Sequence, residues 1–138
     1  MCVKQDQVSP LQIQSVHHVA IICSDYPRSK AFYCELLGFA VIQETYRAER
    51  DSYKLDLKVN DQTQLELFSF PNAPQRPSYP EAQGLRHLAF ATDDLEQAVA
   101  YLKHQQIAVE TIRTDELTGK RFTFFTDPDG LPLELYQA

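Results

Sequence analysis

Two histidines and two glutamates recur at matching places in the two halves of the chain. His18 stands in the string HHVAII and His87 in HLAFAT, while Glu66 stands in LELF and Glu134 in LELY. If these strings are strands, each side chain shares one face with apolar neighbours two residues away. A carboxylate in such surroundings is costly without a partner, and imidazole with carboxylate is a common ligand set for divalent cations. The four residues indicate a metal site; the alternative is structural histidines and glutamates on a solvated face.

Other side chains with reactive groups have no obvious partner in the sequence. His17 must face away from His18 in a strand, and His104 lies near the end of a predicted helix. Cys23 and Cys34 have no neighbouring base, so we interpret them as core residues rather than nucleophiles. Four arginines are interpreted as mostly solvated, with contact to an anionic substrate as the alternative: Arg47, Arg50, Arg76 and Arg121.

The matching strings point to an internal duplication. His18 and His87 lie 69 residues apart, and Glu66 and Glu134 lie 68 apart, so one register that slips by a single residue connects all four strings. Each copy reads as a βαβββ module. The two modules therefore each place one histidine in a first strand and one glutamate in a last strand.

Hydrophobic periodicity gives the elements of each module. In the first, we predict a helix that opens at SDYP, with Ser24 or Asp25 as its cap, and ends at Gly38. In the second, apolar residues spaced for one helix face predict a helix over 93–105, and DPDG predicts a tight turn. Strands are predicted at 16–23, 39–47, 52–59, 63–70, 85–92, 107–113, 120–125 and 131–136.

The chain of 138 residues is expected to be one α+β domain. Module one spans 15–70, a linker spans 71–83 and module two spans 84–137. The linker and its flanks hold four of the eight prolines, which favours an extended, stiff segment.

Composition excludes several classes of function. The net charge is −6 and no basic cluster is present, which argues against binding to nucleic acid or to an anionic membrane surface. No apolar run approaches the ~18 residues of a membrane span, and the first ten residues lack the apolar core of a signal peptide. Three cysteines without CxxC spacing, Cys2 among them, are typical of reduced thiols, so we expect a cytoplasmic protein.

Longer strings carry a resemblance to a known family. They are HHVAIICSDYPRSKAFYCELLGF, LELFSF, GLRHLAF and FTDPDGLPLELY. From Ser15 to Gln137 the chain resembles the vicinal oxygen chelate superfamily, whose best-known member is glyoxalase I. Within it, the chain is most similar to the small bacterial YaeR-type branch. The resemblance implies the glyoxalase/bleomycin resistance/dioxygenase fold, in which two βαβββ modules form a curved mixed sheet.

The resemblance also implies a site and a reaction. Its four metal ligands fall on His18, Glu66, His87 and Glu134, which hold one divalent ion, either Zn, Ni, Co or Mn. Vicinal oxygens of a small substrate chelate the ion, which stabilises an enediolate in a lyase or isomerase reaction. Glu134 moves the proton, and Glu66 lies across the ion. A homodimer is expected, with the site within one chain or, in our hypothesis, shared so that His18 and Glu66 of one subunit meet the other two ligands.

Two departures from bacterial glyoxalase I concern its glutathione. An arginine and an asparagine of the family are replaced by Ile22 and Phe70, so another thiol adduct or another α-hydroxycarbonyl is an alternative substrate. An extradiol dioxygenase or a thiol transferase of the superfamily would use two histidines and one glutamate, so Glu66 counts against both. A non-catalytic small-molecule-binding member would lack the ligands.

Overall fold

The computed structural model describes residues 11–138 and forms two four-stranded sheets from the two copies. The first copy contains β1 (His18–Cys23), α1 (Tyr26–Ala31), β2 (Ala40–Arg47), β3 (Ser52–Lys58) and β4 (Gln64–Ser69). The second contains β5 (Leu88–Thr92), α2 (Leu95–His104), β6 (Arg113–Thr114), β7 (Arg121–Thr126) and β8 (Pro132–Gln137). Cys2 lies outside the described residues. Neither helix is long and apolar enough to cross a membrane.

Both sheets have the same topology, which confirms the duplicated α+β architecture. Their strand orders are β1-β4-β3-β2 and β5-β8-β7-β6. The first and last strands of each copy pair in parallel, with Ala20 opposite Glu66 and Ala89 opposite Glu134. The remaining pairs are antiparallel. This register brings the histidine-bearing end of each first strand beside the glutamate of the last strand.

The helices begin at equivalent caps. The side chain of Asp25 accepts a hydrogen bond from Arg28 N at 3.2 Å, and that of Asp94 accepts one from Gln97 N at 3.0 Å. Asp25 is therefore the cap that the sequence left open against Ser24. The first helix differs from its prediction, because α1 ends at Ala31 and continues as a π-helical turn, Phe32–Leu36.

The predicted strand over 107–113 is wrong for most of its length. Only Arg113–Thr114 pairs with β7 as a ladder. Ile107 and Val109 pack against the core, so their alternation reflects packing rather than strand pairing. Glu110 fastens the segment, since its N–H donates to Phe124 O at 3.0 Å and its carbonyl accepts from the Thr123 hydroxyl at 2.7 Å.

The linker is not the extended segment that its prolines predicted. It contains turns at 71–72 and 78–81, and the Arg76 side chain connects the middle of the linker to the start of the second copy. Arg76 donates to the carbonyl oxygens of Leu85 and Arg86 at 3.0 and 3.2 Å, and to Ser78 Oγ at 2.8 Å. One side chain therefore closes residues 76–86 into a loop, which overrides the local preference of proline for extended chain.

The two copies share one core. Phe32 contacts Phe125 of β7 with ring centroids 6.3 Å apart, and Phe39 contacts Phe90 of β5 at 5.5 Å. The fully buried side chains that line this core come from both copies: Tyr33, Leu55, Leu57, Leu67 and Leu133. Because side chains alternate across a strand, the opposite face of each sheet is turned away from the core. We call these the open faces.

The DPDG turn fastens the second copy to the first. Gly130, at φ +83°, closes the predicted turn by donating its N–H to Asp127 O at 3.0 Å. Asp127 is 5% exposed and accepts a 2.7 Å hydrogen bond from the hydroxyl of Tyr33, which is fully buried. Asp127 Oδ1 also accepts from the backbone N–H groups of Asp129 and Leu131. Burial beside this carboxylate raises the pKa of Tyr33, which stays protonated and acts as the donor.

Removing this buried hydroxyl tests how strongly the two copies are joined. Tyr33→Phe leaves the Asp127 carboxylate short of one buried donor, and we expect the free energy of unfolding to fall by about 2 kcal/mol. Urea denaturation at fixed protein concentration measures the loss as a lower midpoint with an unchanged slope.

Tyr46→Phe is the matched control, because Tyr46 makes the same 2.7 Å hydrogen bond to Asp51 on the surface. Tyr46 is 50% exposed, so water replaces its bond and the loss should stay below about 0.5 kcal/mol. Equal losses in the two variants would contradict the interpretation of the Tyr33 contact.

Candidate metal centre in two halves

The first half of the site lies on the open face of the first sheet. His18 begins β1, and its Nε2 lies 3.4 Å from Oε2 of Glu66 on β4. The side chain of Glu66 is 13% exposed and that of His18 is 41% exposed. The parallel pairing of β1 with β4 produces this contact, which the alternation within either strand alone does not predict.

The second half repeats the arrangement on the other sheet. His87 precedes β5 by one residue, and its Nε2 lies 3.1 Å from Oε1 of Glu134 on β8. The carboxylate side chain is 12% exposed. Within the described residues, no lysine or arginine nitrogen lies within 4.0 Å of the Glu134 carboxylate. The imidazole of His87 is therefore the basic side chain beside it.

Each half fits two ligands of one divalent cation. Metal–nitrogen and metal–oxygen bonds of about 2.1 Å place neighbouring ligand atoms about 3.0–3.4 Å apart in octahedral or tetrahedral geometry. The observed separations of 3.1 and 3.4 Å are of that size. Both carboxylates are largely shielded from water, which is costly unless a cation or a hydrogen bond compensates. The donor set of imidazole and carboxylate also suits a borderline cation.

The two halves do not meet within one chain. Among residues 11–138, no group of three or more histidine, cysteine, aspartate or glutamate side chains is arranged to hold a metal ion. Within the described residues, each histidine–glutamate pair therefore stands without the other pair beside it.

His17 contacts His18, although its predicted strand position indicated that it would face away. Its Nδ1 lies 2.9 Å from Nδ1 of His18, and the two rings meet edge to face. Residue 17 precedes β1, so strand alternation does not constrain it. The contact fixes the His18 ring with Nε2 towards Glu66, which is the kind of outer contact that orients metal ligands.

The two halves have different surroundings. Opposite Glu66 in the β3–β4 ladder stands Asp56, and Lys54 Nζ lies 4.0 Å from Glu66 Oε1 and 3.4 Å from Asp56 Oδ1. Opposite Glu134 stands Phe124, whose ring meets His87 edge to face at 5.1 Å. The first half is charged and the second is aromatic. The alternation of apolar and polar residues in β3 indicates that Lys54 and Asp56 share an exposed face, but it does not indicate which residue of the neighbouring strand they contact.

The cysteines are not part of either half. Cys23 is 2% exposed, and burial raises the pKa of its thiol to about 11, with a further rise from the carboxylate of Asp129. The thiol donates to Phe68 O at 3.3 Å. Burial also raises the pKa of Cys34. Both stay protonated near neutral pH, which supports their interpretation as core residues.

The expectation of mostly solvated arginines is wrong for two of them. Arg76 closes the linker loop, and Arg47 lies partly buried with its guanidinium over the rings of Phe68 and Phe70. Arg121 forms a 2.9 Å ion pair with Glu96 on the surface.

A cavity covers the second half of the site. Its volume is about 1090 Å³, and His87, Phe124 and Glu134 line its floor. The linker loop, residues 76–86, lines one side. The arrangement gives His87 and Glu134 a concave surface of a size typical of small-molecule sites.

Comparison with known proteins identifies the family. The family model described as the glyoxalase/bleomycin resistance protein/dioxygenase superfamily matches residues 15–135. The uncharacterized protein YwkD of Bacillus subtilis strain 168 is 64% identical over 91% of this chain and 98% of its own length. The uncharacterized protein YaeR of Escherichia coli K12 is 61% identical over 92% and 98%, which confirms the predicted branch. A crystal structure of a glyoxalase family protein from Enterococcus faecalis superposes with a TM-score of 0.83, with 52% identity over 89% of this chain and 97% of that chain.

Relatives with a described activity are more distant. A 2-epi-5-epi-valiolone epimerase of Actinomyces sp. is 30% identical over 88% of this chain and 78% of its own. A metallothiol transferase FosB of Staphylococcus epidermidis ATCC 12228 is 27% identical over 91% and 83%. The trypanothione-dependent glyoxalase I of Leishmania major has a TM-score of 0.71 with 26% identity over 91% and 87%. TnmS3, an antibiotic-binding protein of Streptomyces sp. CB03234, has a TM-score of 0.72 with 27% identity over 92% and 98%.

The role of Arg76 in holding the linker loop, which lines the cavity, can be tested without a ligand. Arg76→Gln removes the donors that join the ends of the linker loop, so amide hydrogen exchange over residues 76–86 should quicken roughly tenfold. Arg86→Gln is the control, because its 2.9 Å ion pair with Glu81 is exposed. Exchange mass spectrometry that finds the same rates in both variants would show that Arg76 does not hold the loop.

Proposed function

The chain belongs to the glyoxalase/bleomycin resistance protein/dioxygenase superfamily, and we propose that it is a divalent-metal-dependent lyase or isomerase of the glyoxalase I type. Its substrate is a small molecule with two vicinal oxygens. One observation carries the proposal: each copy places a histidine Nε2 within 3.1–3.4 Å of a glutamate carboxylate at equivalent positions. Two such halves supply two imidazoles and two carboxylates, which leaves positions on a five- or six-coordinate ion for substrate.

The proposed site is shared between two subunits of a homodimer. In this proposal, His18 and Glu66 of one subunit meet His87 and Glu134 of the other, which is supported by the absence within residues 11–138 of any group of three or more side chains arranged to hold a metal ion. Two-fold symmetry then produces two equivalent sites in each dimer. The cavity over His87 and Glu134 would be closed by the partner's first sheet.

The chain's own residues have distinct roles in the proposed reaction. A bound divalent cation supplies Lewis-acid stabilisation of the negative charge that develops on the substrate oxygens. Glu134 removes the proton from the carbon next to the carbonyl and returns it to the neighbouring carbon. Its aromatic surroundings keep bulk water away from the proton in transit. Glu66, whose Oε1 lies 4.0 Å from Lys54 Nζ, would act as the second carboxylate ligand of the cation.

Glu66 favours this proposal over the other metal-dependent activities of the superfamily. Dioxygenases and thiol transferases are expected to use three protein ligands, and Glu66 supplies a fourth. Its equivalence to Glu134 in ladder position and exposure supports a ligand role for both. The carboxylate set also disfavours a purely binding role, since a binding protein has no need of a proton acceptor beside a cation.

Metal analysis of the purified protein tests the ligand set. We expect one divalent ion per chain, and a loss of affinity of more than about a hundredfold in both Glu66→Gln and Glu134→Gln, because each substitution removes a charged ligand. Elemental analysis and competition with a chelating dye measure content and affinity. Isomerisation of hemithioacetals formed from different thiols should fall with the metal.

Glu49→Gln is the matched control, because Glu49 is exposed in the short helix Ala48–Arg50 on the first copy. It should retain the ion. A wild-type protein that neither contains metal nor is stabilised by added Zn²⁺, Ni²⁺ or Mn²⁺ would overturn the proposal and leave a metal-free binding protein as the function.

Co-expression of two inactive variants tests whether the site is shared. A dimer of Glu66→Gln with Glu134→Gln contains one site with both substitutions and one site with none. Random assembly should therefore recover about a quarter of the wild-type metal sites, although neither variant alone has any. Differently tagged chains allow the mixed dimer to be purified and its metal counted.

A site formed within one chain predicts no recovery, because each polypeptide then carries its own damaged site. Mixed dimers without metal, or a wild-type monomer that keeps full affinity on dilution, would place all four ligands in one chain and overturn the shared site.

A further inference from the structure

Two arginines and two phenylalanines form a platform on the open face of the first sheet. The rings of Phe68 and Phe70 are parallel within 3°, with centroids 6.0 Å apart. The guanidinium carbon of Arg47 lies 5.0 Å from the Phe68 centroid and 5.6 Å from that of Phe70. Arg50 stacks over the same Phe70 ring at 5.1 Å. We call these four residues the platform.

The charge of the platform is not neutralised within the described chain. Over residues 11–138, no carboxylate oxygen lies within 4.0 Å of a nitrogen of Arg47 or Arg50. Arg47 donates one hydrogen bond, from Nη2 to Ser52 Oγ at 2.8 Å. Its Nε is buried with no acceptor. A guanidinium has five N–H donors, and a buried donor without a partner is costly. The described residues therefore leave donors of Arg47 for which a bound ligand could supply the acceptor.

The second copy contains a similar stack on other strands, and its arginine is paired with an acid. Arg113 lies 5.0 and 5.9 Å from the centroids of Phe122 and Phe124. It also bonds to Oε1 of Glu110 at 3.0 Å. The two stacks are not equivalent by duplication, because Phe68 lies on β4 whereas Phe122 and Phe124 lie on β7, the counterpart of β3. Arg113 has an acid beside it, whereas Arg47 has none within 4.0 Å among residues 11–138.

The platform lies beside the first half of the metal site. Phe68 follows Glu66 by two residues on the same face of β4, which separates their Cα atoms by about 7 Å. A ligand whose vicinal oxygens lie beside Glu66 can therefore reach the guanidinium of Arg47 with a second group that is only a few bonds away from those oxygens. Ile22 and Phe70 stand where bacterial glyoxalase I is expected to hold a glutathione carboxylate. Lys54 on the same face is already paired with Asp56 and Glu66, so Arg47 is left to bind an acid.

We propose that Arg47, held on the platform, binds the acidic group of the substrate, so that the substrate is a small vicinal-oxygen compound carrying a carboxylate or a phosphate. This inference rests on the proposed metal-dependent function. A planar guanidinium whose position is fixed by two rings and Ser52 has its remaining donors in a fork that matches either oxyanion. Arg50 adds a second positive charge at the outer end of the platform.

Binding of chelating probes to the metal-loaded protein tests the inference. Succinic acid monohydroxamate and butanehydroxamate both bind a cation through two vicinal oxygens, and they differ in a terminal carboxylate against a methyl group. We expect the acidic probe to bind at least roughly tenfold more tightly to the wild type by calorimetry, because a charge-assisted bidentate contact is added. In Arg47→Gln that preference should vanish while butanehydroxamate keeps its affinity.

Two further variants and one further probe show whether the preference for the acidic probe depends on Arg47 itself. Arg113→Gln removes the neutralised stack and should retain the acid preference. Arg47→Lys keeps the charge without the fork and should give an intermediate preference, which covers the case in which Arg47→Gln fails to fold. A probe with a phosphonate in place of the carboxylate distinguishes the two oxyanions, since the preferred one gains more from Arg47.

The possible failures are distinguishable. Equal binding of the acidic and neutral probes by the wild type, or a preference that survives Arg47→Gln, would overturn the acid subsite and leave the metal site standing. Absence of binding by every probe, together with absence of metal, would overturn the proposed function and the acid subsite with it.

Discussion

The packing of both sheets onto one core determines what each chain can do alone. Leu55 and Leu67 of the first copy and Phe125 and Leu133 of the second belong to the same cluster of buried side chains. Because a strand points successive side chains to opposite faces, every residue that is buried in this core directs its neighbours outward. The two histidine–glutamate pairs are such neighbours. Within residues 11–138 the two candidate pairs remain separate, and each lies on the face of its own sheet that is turned away from the core.

The two copies have diverged in how they surround their glutamates. The backbone register is the same, so Asp56 and Phe124 occupy equivalent positions opposite Glu66 and Glu134. One carboxylate lies among charges and the other among rings, although both are about equally exposed. An ancestral module with identical halves would have had two equivalent carboxylates. Substitutions on one face of two strands are enough to give the two carboxylates different roles while the core faces of the same strands stay apolar.

Local rules predicted the elements, and contacts between distant residues decided the rest. Hydrophobic periodicity predicted the strands that carry His18 and Glu66, and helix chemistry narrowed the first cap to Ser24 or Asp25. The prediction of a strand over 107–113 was wrong for most of that range, because Ile107 and Val109 pack against the core without belonging to a paired strand. The prediction of an extended linker was wrong, because the hydrogen bonds of the Arg76 side chain outweigh the preference of the four prolines for extended backbone. Sequence periodicity contains no information on how two modules pack, so it could not decide between one chain and two.

The contact between imidazole and carboxylate within each half has a consequence for assembly. Two ligands held 3.1–3.4 Å apart by a parallel strand pair are already spaced for one cation before a partner arrives. Most of the side-chain entropy that ligation requires is therefore lost on folding rather than on metal binding. Two ligands alone bind a divalent cation weakly, whereas four bind it strongly, so in a shared site the cation and the partner chain each increase the affinity for the other. Dimer stability and metal affinity would then be one linked equilibrium, in which the rigidity of each half keeps the cost of assembly low.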